Sequence, residues 1–82
     1  MAPRLRRLSA RDVLGILKSF GFEVVSTRDS HAKLRRITDD GRRETLTLPL
    51  HKELDVGTLQ AIVRQAARFI SEPELRKRFY RD

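Results

Sequence analysis

The sequence predicts an α+β domain, a three-stranded antiparallel sheet with helices on one face. Three observations carry this expectation. Apolar residues recur at helical spacing near both ends of the chain: Val13, Leu14, Ile16, Leu17 and Phe20 in one stretch, Leu59, Ile62, Val63, Ala66 and Ile70 in the other. Three short runs of β-branched, aromatic or alternating apolar residues lie between them, separated by the polar turns 28–30 and 39–41. Cations occupy alternate positions in the middle run, which places them on one side of a strand and leaves the other side for a core.

Taken in order, residues 1–8 form a basic lead-in, expected to be loosely held. Ser9 is an N-cap, with Asp12 three positions on as the acidic half of a capping box. The first helix then spans about 10–20, and Gly21 stops it. Residues 22–27 make the first strand, with Phe22 and Val24 directed to the core. The second strand, 31–38, turns Ala32 and Leu34 inward and His31, Lys33, Arg35 and Ile37 outward. Asp39-Asp40-Gly41 is a hairpin turn. The third strand, 43–50, alternates Leu46, Leu48 and Leu50 inward, and Pro49 marks its end or an edge. Asp55 caps a second helix over about 56–69. Ser71-Glu72-Pro73-Glu74 is a further capping signature, opening a short charged helix over about 72–80 with a small apolar contact through Leu75, Phe79 and Tyr80. The expected organisation is one domain, 1–82, with its core in about 9–70 and a charged helical tail in 71–82.

Composition narrows the function. A chain of 82 residues buries only about 60% of its unfolded surface, so its core is thin. It has no cysteine, which excludes a disulfide framework and thiolate metal sites. The basic start lacks the apolar stretch of a signal peptide or membrane anchor, and the default location is cytoplasmic. Eighteen Lys and Arg against eleven Asp and Glu leave a net charge of +7, which favours nucleic acid, an anionic membrane or an acidic protein as partner.

His31 stands where the chain leaves the turn Arg28-Asp29-Ser30, followed by Lys33, Arg35 and Arg36. An imidazole exchanges protons near neutral pH, which suits it to removing a proton from a ribose 2′-hydroxyl. Flanking cations hold the phosphate and stabilise its developing charge. A surface histidine near a turn is the commoner reading of such a residue taken alone. The basic hairpin comprises Arg28, Lys33, Arg35, Arg36, Arg42 and Arg43, and its acids, Asp39 and Asp40, are confined to the turn. That segregation favours phosphate binding over a merely solvated face. No aromatic residue is interleaved, so a base-stacking platform is not indicated. His51, in the loop before the second helix, reads as structural, hydrogen-bonding the start of that helix. The aspartates sit at turns and caps and form no metal-nuclease pattern.

Three features resemble the HicA family of toxin mRNA interferases. They are Phe20-Gly21-Phe22 at the end of the first helix, Arg28-Asp29-Ser30-His31 as the family's glycine-serine-histidine turn, and Leu48-Pro49-Leu50-His51 leading to Gly57-Thr58-Leu59 and Arg64-Gln65-Ala66. Asp29 replaces the family's glycine, a substitution the turn tolerates because Asp adopts left-handed conformations. The resemblance covers about 9–70. It implies a double-stranded-RNA-binding-domain-like α-β-β-β-α fold and cleavage of mRNA with His31 as catalytic residue. It further implies no metal or organic cofactor, no membrane, and a cognate HicB-like antitoxin as partner. With it, the RNA-binding set reads Arg28, Lys33, Arg35, Arg36, Arg43 and Lys52. The alternative is a non-catalytic RNA-binding module of the same fold.

Overall fold

The computed structural model describes residues 4–81. Its elements in chain order are β1 (Arg4–Leu5), α1 (Ala10–Ser19), β2 (Glu23–Arg28), β3 (His31–Ile37), β4 (Arg43–Pro49), α2 (Val56–Ala66), α3 (Glu72–Phe79) and β5 (Tyr80–Arg81). The three central strands form an antiparallel sheet in the order β2-β3-β4, and β1 pairs with β5 in a separate two-stranded ribbon. The expected α-β-β-β-α arrangement is therefore present, with the short ribbon added to it.

Each helix starts where its sequence provides a cap. Ser9 accepts from the Asp12 backbone N–H at 3.0 Å, and the Ser9 N–H donates to the Asp12 carboxylate at 3.0 Å, closing the capping box. Asp55 accepts from the Thr58 N–H at 2.7 Å at the start of α2. Ser71 occupies the N-cap of α3 without a side-chain bond; there the Leu75 N–H reaches the Ser71 carbonyl at 3.0 Å. Helix α2 ends at Ala66, short of the expected 69. The amides of Arg68 and Phe69 reach back to the carbonyls of Gln65 and Ala66, tightening the chain into a turn.

Alternation along β3 divides the sheet into two surfaces. Ala32 and Leu34 are buried with Leu46 and Leu48 of β4, beneath Val13, Ile16 and Leu17 of α1 and Leu59, Ile62 and Ala66 of α2. Both long helices thus cover one face. The two sheet edges differ. The Gln65 side chain reaches both backbone groups of Thr47, accepting from its N–H and donating to its carbonyl at 3.3 Å each, as a neighbouring strand would. Strand β2 is the open edge: all six of its residues are exposed, and its register with β3 shifts between Val24 and Ser26. Val24, expected in the core, is 40% exposed for this reason, whereas Phe22 is fully buried just ahead of the strand. Bulges of this kind twist an edge away from pairing with another chain.

Arg36 points to the helix side of the sheet. Its Nε donates to Glu44 at 2.8 Å, and its Nη1 and Nη2 donate to the carbonyls of Phe20 and Phe69 at 2.9 Å each. Its Nη2 also lies 2.6 Å from the Glu44 carboxylate, and the guanidinium stacks 4.8 Å from the Phe22 ring centroid. The guanidinium therefore joins the end of α1, the segment after α2, and β4. Gly21 makes room for it: φ there is 93°, and a Cβ would stand 3.3 Å from Arg36 Cδ.

The ends of the chain differ most from expectation. The lead-in is fastened: Leu5 pairs with Tyr80, Leu8 is buried, and the Arg6 N–H donates to the Phe79 carbonyl at 2.9 Å; residues 1–3 lie outside the described part. Phe79, assigned only a small contact, is completely buried and is among the largest side chains in the core, which extends from Leu8 to Phe79. Burying such a side chain contributes about 1.5–3 kcal/mol.

Arg36→Leu should lower stability by about 2–4 kcal/mol, because it strands Glu44 and two carbonyls at a partly buried site. Urea unfolding measures this, and an unchanged midpoint would show that the contacts contribute nothing net. A second expectation concerns acid. Three carboxyls are held below the ordinary range: Asp12 chiefly by the Ser9 backbone N–H, Asp40 by the Thr38 hydroxyl, and Asp55 by the Thr58 N–H. Their contribution is complete above the unfolded value, about 4, and is lost as pH falls through the lower folded values. The melting temperature should fall below about pH 4, and Asp55→Asn, which keeps an acceptor but does not titrate, should flatten that fall.

Candidate functional site

The uncovered sheet face carries the residues that strand alternation sends outward. His31 opens β3, in register with Arg28 on one side and Pro49 on the other. Lys33 follows between Ser26 and Thr47, and Arg35 between Glu23 and Thr45; Ile37 lies opposite Arg43. Side chains directly across an antiparallel pair share a face. His31, Arg28, Lys33, Arg35 and Arg43 therefore occupy one surface, with Glu23 as its acid.

The turn that presents His31 is anchored on both sides. The Arg28–His31 pair closes it, and the Leu50 N–H donates to the Ser30 carbonyl at 2.6 Å. Asp29 takes φ 55°, the left-handed conformation that permits so short a reversal. The imidazole is thus exposed on a backbone held from both neighbouring strands.

The charges on this surface are largely uncompensated. Among the described residues there are two ion pairs, Arg36–Glu44 and Arg42–Asp40. Arg28, Lys33, Arg35, Arg43 and Lys52 belong to neither. Arg42 is tied to the turn, with its Nε 3.1 Å from Asp40. Arg35 adds an unmet donor: its Nε is shielded from solvent and has no hydrogen-bond partner. The desolvation of that N–H is offset by no acceptor of the protein.

Two expected contributors lie elsewhere. Arg36 was grouped with the RNA-binding cations, but its guanidinium is committed on the opposite face to Glu44, Phe20 and Phe69, so it is a structural residue. Lys52 is exposed, yet it sits in the loop beyond β4, lining a cleft of about 670 Å³ with Arg6 and Arg7. His51 is exposed as well. Its carbonyl accepts from the Ala10 N–H at 3.2 Å, so its backbone supports the start of α1, where the sequence pointed to α2.

Arg6, Arg7, Arg11 and Arg78 gather around a further cleft, and no pattern in the sequence joined them. The first three lie within six residues, a run of cations visible in the chain, but Arg78 reaches them only through the β1–β5 ribbon. Among the described residues no group of three His, Cys, Asp or Glu side chains is placed to hold a metal ion. No described helix is long and apolar enough to cross a membrane.

Comparison with known proteins agrees with this architecture. Residues 10–67 match the family model described as the HicA toxin of bacterial toxin–antitoxin systems. The match begins with α1 and ends just after α2, leaving β1, α3 and β5 outside it. No curated protein and no solved structure matches the chain. The matched segment holds the anchored His31 turn, the Gln65 contact and the whole three-stranded sheet, and by this match over more than half its length the chain belongs to the HicA family, the toxins of toxin–antitoxin systems, whose partner is an antitoxin.

Proposed function

We propose that this toxin is an RNA-cleaving mRNA interferase in which His31 is the catalytic residue and Arg28, Lys33, Arg35 and Arg43 hold the phosphate backbone. The observation that carries this is the juxtaposition on the open sheet face. A single exposed imidazole stands at the rigid end of a strand whose next outward residues are cations without ion-pair partners.

That arrangement suits transesterification of RNA. A neutral imidazole accepts the proton of a ribose 2′-hydroxyl. The O2′–P bond forms as the P–O5′ bond breaks, and the leaving oxygen takes a proton from solvent. The products are a cyclic phosphate and a 5′-hydroxyl. Negative charge grows on the phosphoryl oxygens during this step, and fixed cations stabilise it more than they stabilise the substrate.

Inhibition of such a toxin comes from outside, because an exposed histidine on a sheet has no core of its own to be withdrawn into. An acidic HicB-like antitoxin covering this face supplies carboxylates to the hairpin cations and denies RNA access to His31.

His31→Ala should abolish RNA cleavage and growth inhibition, with stability changed by no more than about 0.5 kcal/mol, since the side chain is exposed. Cleavage by purified His31→Ala protein at the rate of the unmodified chain would assign the chemistry to another residue. Cleavage absent from both proteins, with RNA binding retained, would favour a non-catalytic RNA-binding module. Binding should weaken with salt, each phosphate contact contributing roughly 0.7–0.9 to the log–log slope. Lys33→Ala with Arg35→Ala should lower that slope by about 1.5, and an unchanged slope would move the RNA to another surface.

A further inference from the structure

The arginines at the joined ends of the chain form a second basic surface. Arg6, Arg7, Arg11 and Arg78 line a cleft of about 570 Å³ between the lead-in, α1 and α3. Three of the four lie outside the segment that matches the toxin family. Backbone brings Arg6 beside Arg78, since the Arg6 N–H donates to the Phe79 carbonyl at 2.9 Å. Arg6 Nη1 donates to the Arg78 carbonyl at 2.8 Å, and Arg78 Nη1 donates to the Ser19 hydroxyl at 2.8 Å. None of the four enters either ion pair found among the described residues.

The like charges are concentrated at some cost. Arg4 lies directly opposite Arg81 in the ribbon that closes this region, a destabilising pairing. Asp12 is the one carboxylate lining the cleft; the Ser9 N–H of the α1 cap engages one of its oxygens, and its charge is felt by Arg6 and Arg11, so four cations face a single acid. Four arginines around one carboxylate leave the cleft net positive, which favours an anionic occupant.

Backbone contacts link the His31 turn to the segment that lines the cleft. The Leu50 N–H bonds the Ser30 carbonyl, the Ala10 N–H bonds the His51 carbonyl at 3.2 Å, and the Leu54 N–H bonds the Leu8 carbonyl at 3.3 Å. Turn, 50–54 loop and lead-in therefore lie side by side. Lys52 shares its cleft with Arg6 and Arg7, which in turn share theirs with Arg11 and Arg78. Lys52 thus lies between the hairpin and the arginine cleft, in a cleft whose lining also carries Asp12, Glu53 and Asp55, so the net positive charge is concentrated at its two ends.

We propose that the cleft of Arg6, Arg7, Arg11 and Arg78 is a second phosphate-binding site, which engages the RNA strand running on from the His31 turn. The proposal rests on the RNA-cleaving function above and extends it to a longer substrate. Guanidinium groups bind phosphate oxygens through paired N–H donors. An acidic protein is the poorer occupant. Leu8 and Ile16, the apolar residues lining the cleft, are both 5% exposed and offer no protruding anchor of the kind that dominates protein interfaces.

The test compares the full chain with its Arg7→Gln/Arg11→Gln variant. Both carry His31→Ala so that the RNA stays intact. Fluorescently labelled single-stranded RNAs of about 5 and about 20 nucleotides stand near the lower end and beyond the upper end of the roughly 4–16 nucleotides that a compact single-strand-binding fold contacts. For the longer RNA, the slope of log affinity against log salt should fall by about 1.4, two single-strand contacts, while the shorter RNA shows no change. Equal slopes for the two proteins with the longer RNA would overturn the second site. An equal loss at both lengths would overturn it too, reducing the cleft to a general field. Weaker binding of the antitoxin with RNA slopes unchanged would assign the cleft to the protein partner. Absence of binding to either RNA, by both proteins and by the chain with His31 intact, would instead overturn the RNA function itself.

Discussion

The guanidinium of Arg36 is the constraint on which the arrangement of layers depends. It is a cation on the apolar side of the sheet, and such a group is tolerated only when its donors are met. Glu44 meets one direction from the neighbouring strand. The carbonyls of Phe20 and Phe69 meet the others, and each belongs to the end of a helix or the turn just after it. Carbonyls at helix ends lack intrahelical partners, so each takes its missing donor from this one side chain. Phe22 packs beneath the guanidinium and beside Phe69, whose ring centroid is 6.3 Å away. Gly21 follows as a consequence, because its φ of 93° disfavours a side chain and a Cβ would crowd the arginine stem at 3.3 Å.

With the helices fixed to one face, the other is left to function. Extents of 40 × 30 × 17 Å belong to a thin, two-layered molecule, and on its open side His31, Lys33 and Ile37 stay exposed. Strand period then decides which residues face outward, and the outward set of β3 is a histidine, two cations and an isoleucine. The same arrangement settles the edges. Gln65 closes β4 by imitating a strand, while β2 is left open but bulged. Partner strands therefore find one accessible edge, next to the basic face, and it is irregular.

Joining the chain ends solves the problem of a thin core and raises another of charge. Phe79, Leu75 and Leu8 complete the apolar cluster, which the matched family segment alone would leave smaller. The ribbon that brings them in also sets arginine against arginine. A chain of net charge +7 already carries self-repulsion, and concentrating it at one end adds to that. An anionic partner would relieve both surfaces, sheet face and arginine cleft, by the same physics.

The sequence by itself determined what depends on near neighbours. Caps at Ser9 and Asp55, the helical stripes, the turn at Asp39-Asp40-Gly41 and the outward placement of His31, Lys33 and Arg35 all follow from spacing within a few residues. Family motifs over 10–67 were legible for the same reason. Only the tertiary structure decided the rest. Alternation already turned Arg36 away from the outward cations, yet its four contacts reach as far as Phe69, thirty-three residues along the chain. Val24 has the residue type of a core strand, and its exposure follows from a bulge and from the absence of a covering helix at that edge. Local spacing marked only a small apolar contact in the charged tail, through Leu75, Phe79 and Tyr80, whereas Phe79 is fully buried, because a short amphipathic segment acquires its burial from whatever it docks against. Arg78 and Arg6 are 72 positions apart in the chain and become one surface through the Arg6 N–H bond to the Phe79 carbonyl and the Arg6 guanidinium bond to the Arg78 carbonyl, which local spacing does not encode.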